Sequence, residues 1–140
     1  MVQMNTELVK QQVEDWIVRL NQLYDKIDRW LVTIPHDRTR RETLKQSLEP
    51  RMREFHVPAR DVPTYTIFKG NRRISFVPSA LWVPGTNGRI NLTTIAKQHI
   101  LVDRSHGENG SNWQLVTDNF TRPLIPFNKA QLLKLLSEGE

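Results

Sequence analysis

Eight apolar positions between residues 9 and 34 (Val9, Val13, Trp16, Leu20, Leu23, Ile27, Trp30 and Ile34) alternate spacings of four and three. That spacing is a heptad seam and predicts one amphipathic helix over 6–33. Asn5 or Thr6 can cap its start, Glu7 suits the first turn, and Pro35 stops it. Ile17, Tyr24 and Leu31 lie one position beyond one half of the seam and widen it into a broad stripe. A wide stripe suits a helix lying on its own domain, and two tryptophans would crowd a two-stranded coiled coil. Such a helix, roughly 40 Å long, can also outrun a small domain and offer part of its stripe to a partner or a second copy.

The next segment, "HDRTRRETLKQSLEP", has Asp37 as a possible cap and Leu44 and Leu48 four apart. It predicts a short helix over 38–49, ended by Pro50. Met52, Phe55 and Val57 suggest another brief helix or an extended piece, and Pro58 and Pro63 bracket a connector. From Thr64 the period changes to two. "TYTIF", "RISFV", "ALWV", "RINLT", "HILV" and "WQLV" read as strands, and "PLIPF" as a short edge strand because of its prolines. Asn128 caps a last helix over 128–138. The expected class is α+β: a helical segment over 1–57, then an antiparallel meander or half-barrel over 58–140 with a C-terminal helix.

The stretch "LWVPGTNGRINL" raises the question of a phosphate-binding loop. Such a loop needs a helix behind it to aim its N–H groups, and "RINLTT" reads as strand. Asn87-Gly88 is instead a hairpin signal.

Charge modifies this picture. Residues 1–34 hold four basic and five acidic groups, residues 35–60 seven and four, and the remainder nine and six. The excess is densest at Arg38, Arg40, Arg41, Lys45, Arg51 and Arg53, with Lys69, Arg72 and Arg73 at a hairpin and Arg89 at the base of the GTNG turn. Such a field attracts polyanions or acidic protein surfaces. Interleaved Asp37, Glu42, Glu49 and Glu54 can neutralise part of it by helix-spaced pairing.

Candidate chemistry is sparse. Cysteine is absent, which removes disulfides, thiolate metal sites and thiol nucleophiles. His36, His56, His99 and His106 show no ligand spacing, and Ser79 lacks a nucleophile elbow. Asp103, Ser105 and His106 are sequence neighbours in a polar loop, and such neighbours rarely hold the oriented geometry that a triad requires. No metal or other cofactor is expected. The first residues lack the apolar core of a secretion signal, and no apolar run reaches membrane-spanning length, so a soluble, cytoplasmic protein is expected.

These features lead to a non-enzymatic accessory or adaptor subunit. It would dock on another protein, or on itself, through Val13, Trp16, Leu20, Leu23, Ile27 and Trp30, and would use the basic groups for a second, acidic contact. The alternative is a nucleic-acid module built on the basic stretch 38–53 and the β domain.

Overall fold

The computed structural model describes residues 5–105, 110–116 and 123–138. Helix α1 runs Thr6–Leu31, with the Asn5 side chain accepting from the Leu8 N–H at 2.8 Å. Strand β1 (Arg38–Lys45) follows, then the short helix α2 (Pro50–Glu54). Strands β2 (Asp61–Lys69), β3 (Arg72–Ala80), β4 (Arg89–Thr93), β5 (Gln98–Asp103), β6 (Trp113–Val116) and β7 (Ile125–Pro126) complete the sheet. Helix α3 (Lys129–Leu136) starts at Asn128, whose side chain accepts from the Gln131 N–H. Among the described residues seven strands pair antiparallel in chain order, an open meander with β1 and β7 at its edges.

Alternation sorts the sheet into two faces. The inner row Tyr65–Phe76–Leu92 and its neighbours Ile67, Ile74, Ile90 and Leu101 are almost wholly buried. Helix α1 lies on this face. Its Tyr24 stacks on Tyr65 with ring centroids 5.1 Å apart, and donates its hydroxyl to the Pro63 carbonyl at 2.9 Å. Trp16 packs on Trp113, and Trp30 meets Phe127 edge-on. Buried Leu132, Leu135 and Leu136 of α3 join the same core. The fold is thus α+β: two helices on one side of an antiparallel sheet.

The structure differs from the sequence expectation in two places. Residues 38–45 are a strand, not a helix: the whole stretch pairs with β2 from Arg38↔Phe68 to Lys45↔Asp61. The second helix lies instead at Pro50–Glu54, with proline in its first turn, where no N–H is needed. The sheet therefore begins before residue 57, and helices and strands interleave along the chain.

The loop from Leu81 to Gly88 is the second. It joins β3 to β4 as an eight-residue connection, so "ALWV" is not a strand beyond Ala80. The tight turn is Val83–Thr86, closed by the Thr86 N–H on the Val83 carbonyl at 3.0 Å, with Pro84 and a positive φ at Gly85. That is the pattern of a type II turn. Asn87-Gly88 does not form the reversal, because the Asn87 N–H is bound to the Asp103 carbonyl at 2.7 Å. Strand β4 follows Gly88 directly, so no helix N-terminus stands behind this glycine loop.

Candidate recognition surfaces

The helix stripe first. Val13, Trp16, Leu20, Leu23 and Ile27 are at most 3% exposed, and Trp30 is packed against the core. The surface expected to receive a partner is occupied by the chain's own sheet. A partner could reach these side chains only by displacing α1.

The basic residues divide by strand parity. Arg41 points to the inner side, where it donates to Asp25 and Asp28 of α1, both at 2.7 Å. Burial works against its charge, but those two carboxylates outweigh it and raise its pKa. The acids that neutralise Arg41 thus come from α1 and not from helix-spaced neighbours. Lys45 lies on the same side, opposite Asp61. Lys69 and Arg72 flank the β2–β3 turn, and Arg72 reaches the Leu136 carbonyl at 3.4 Å. Arg51 and Arg53 stand on α2, and the Arg51 guanidinium lies 5.6 Å from the centre of the Trp82 ring.

Arg38, Arg40, Arg73 and Arg89 occupy outer-face positions of the sheet. Arg38, Phe68 and Arg73 are direct cross-strand neighbours over β1, β2 and β3. Beside them runs a second row, Arg40–Thr66–Ser75–Thr93–Gln98. The Arg38 guanidinium stacks over the Phe68 ring at 3.9 Å from its centre, and Arg40 lies 5.2 Å from it. A shallow depression of about 460 Å³ adjoins this corner, bounded by Asn71, Arg73, Ser75, Thr93, Thr94 and Ile95. Among the described strand positions of this face, Glu42 is the one carboxylate, and it pairs with Arg40. The result is a corner of guanidinium groups, hydroxyls and one aromatic ring.

A groove of about 560 Å³ between α1 and the loop before β4 had no signal in the sequence. Gln12, Arg19, Arg51, Trp82, Pro84 and Asn87 help line it. The Trp82 indole N–H donates to Gln12 at 3.2 Å, and both Glu49 oxygens accept from the N–H groups of Leu81 and Trp82. Its floor is an ion pair: Arg19 donates to Asp103 at 2.6 Å, to Asp15 at 2.7 Å and to the Asn87 carbonyl at 2.7 Å. Asp103 is fully buried and also accepts from the N–H groups of Ser105 and Asn112.

The catalytic candidates can be placed in part. Asp103 is committed to this structural pair, and His106 lies outside the described residues. His99 faces inward, with Nε2 2.8 Å from Glu138, which also accepts from the Thr94 hydroxyl at 2.7 Å. Burial disfavours the Glu138 carboxylate, yet these two partners hold its pKa below the ordinary value. Among the described residues no three His, Cys, Asp or Glu side chains converge as metal ligands, and no helix is long and apolar enough to cross a membrane. Comparison with protein-family models, with curated proteins and with solved structures finds no match for this chain.

Proposed function

We propose that this protein is a non-enzymatic binding subunit whose outer sheet face recognises a phosphodiester polyanion, single-stranded nucleic acid in the first place. The observation that carries the reading is the cross-strand row Arg38–Phe68–Arg73 with the hydroxyl row beside it. Guanidinium groups hold phosphates bidentately and hydroxyls donate to the remaining oxygens, while the Phe68 ring beneath Arg38 holds one guanidinium flat on this face. Strands about 4.8 Å apart spread these groups over a flat surface, which an extended strand can follow more readily than a duplex groove can. Burial of the helix stripe favours this reading over docking through α1, since unseating α1 would expose Trp16, Leu20 and Ile27.

The test is the fluorescence anisotropy of a labelled single-stranded oligonucleotide over a series of salt concentrations. Binding should weaken steeply with salt. Replacing Arg38 and Arg73 together with alanine should flatten the log–log slope by about 1.4, as expected for two lost phosphate contacts on a single strand. Replacing Arg51 and Arg53, which lie away from this face, should leave the slope unchanged. No binding by the wild-type protein at low salt overturns the proposal. An acidic protein captured through the same arginines, with no affinity for oligonucleotides, would return the function to an adaptor.

A further inference from the structure

The first strand of the sheet has one side with no partner among the described residues. Among the described residues strand β1 pairs only with β2, and nearly every residue from Arg38 to Lys45 is exposed. The register fixes which backbone groups are free. The Gln46 N–H donates to the Arg60 carbonyl, so position 46, and every second position before it, turns its backbone towards β2. Thr39, Arg41 and Thr43 therefore aim their N–H and C=O groups at the open edge.

We infer that this edge pairs with the β1 edge of a second copy, antiparallel about a two-fold axis through Arg41, joining two sheets into one. In that register Arg40 stands opposite Glu42 of the other copy and Thr39 opposite Thr43. Each of these complementary pairs occurs twice. Parity is consistent as well. Arg41 opposite its own copy becomes a hydrogen-bonded pair, which uses the free backbone groups of Thr39, Arg41 and Thr43. Arg40 and Glu42 then fall in the non-hydrogen-bonded positions, where side chains across the ladder approach most closely.

Like charges meet only at Arg41, and each Arg41 is already held by Asp25 and Asp28 of its own chain. Leu44, an exposed apolar side chain on this strand, gains the alkyl stem of Arg38 from the other copy as its neighbour. Charged edges ordinarily keep sheets apart. Here the same charges select one register: sliding the two-fold by one residue sets Arg40 against Arg40 or Glu42 against Glu42. The pairing does not depend on the proposed polyanion site, although it would place two such corners on one continuous face.

Sedimentation equilibrium measures it. Wild-type protein should approach twice the chain mass of 16.4 kDa at high micromolar concentration. Arg40→Glu alone and Glu42→Arg alone should each sediment as monomers, with far-UV circular dichroism unchanged. Mixing the two single variants should restore the dimer mass, because each then faces its complement, and the doubly exchanged variant should dimerise on its own. Circular dichroism separates loss of pairing from loss of folding, and the mixing result cannot come from unfolded chains. A monomeric wild type overturns the inference. So does a dimer that survives in both single variants, or a mixture that stays monomeric.

Discussion

Arg19 and Asp103 lie 84 positions apart in the chain, and their 2.6 Å contact pins α1 to the end of β5. Removing one member of such a pair leaves a buried charge without its partner, which costs on the order of 3–5 kcal/mol. Arg19→Met should therefore lower the urea midpoint sharply, while replacing both residues with apolar ones of similar size should recover part of the loss. Gly88 presents a different constraint. A Cβ there would stand 2.2 Å from the Trp16 ring, and its φ of 131° is unfavourable for any side chain. Gly88→Ala should destabilise the fold by about 1–3 kcal/mol through overpacking, measurable in the same unfolding experiment. Neither constraint could be read from the sequence. Asp103 looked like a loop acid beside Ser105 and His106, and Gly88 like the tip of a hairpin. Both owe their roles to residues of α1 that are distant in the chain.

At the scale of elements, the helix is the part that was most legible. The four-three spacing from Val9 to Ile34 defines a stripe whatever covers it, and α1 follows it from Thr6 to Leu31, two residues short of the expected end. What periodicity does not contain is the identity of the covering surface, so own sheet and foreign partner read alike. Strand β1 carries no strand signal in its sequence, for a physical reason. It is an edge strand exposed on both faces, so it has no apolar alternation to show, and Leu44 and Leu48 imitate a helical step.

The helix–sheet seam has its own titration signature. Tyr24 and Tyr65 are the protein's two tyrosines. Burial raises the pKa of both above the ordinary 10.0, and for Tyr65 the Asp28 carboxylate that accepts its hydroxyl proton adds to the effect. A raised phenol pKa means that the folded state holds the proton longer than the unfolded one. The stability this gives is fully present below pH 10 and is lost as pH climbs towards the folded values. Ultraviolet difference titration should thus show little tyrosinate just above pH 10, with ionisation appearing together with unfolding. Ionisation of either tyrosine at its ordinary value, in folded protein, would mean that the stacked pair is open.

The other helix is tied at its C-terminal end by the Thr94–His99–Glu138 cluster. The lowered pKa of Glu138 makes this contribution present above the ordinary carboxyl value of 4.5 and lost as pH falls below it. Glu138→Gln should therefore flatten the acid limb of the stability profile.

Over the whole molecule, the sheet separates its duties by face. The inner face carries the core and both longer helices, and its ion pairs draw Asp15, Asp25 and Glu14 of α1 onto Arg19, Arg41 and Arg60, and Asp103 of β5 onto Arg19 as well. The outer face keeps Arg38, Arg40, Arg73 and Arg89 with one carboxylate among its described strand positions. A basic surplus was legible from composition, but its sorting was not. Strand parity decides it, and the strand that carries Arg38 and Arg40 was not recognised as one. Everything proposed for the outer face requires that α1 stay seated on the inner one as part of a single cooperative unit. Native-state hydrogen exchange tests that requirement residue by residue. The account predicts that amides in the middle of α1, around Leu20 to Tyr24, share the protection free energy of β2, β3 and β4, as members of one global opening. Exchange of those helix amides through a low-energy opening, while the sheet remains protected, would contradict it and would release the apolar stripe for a partner.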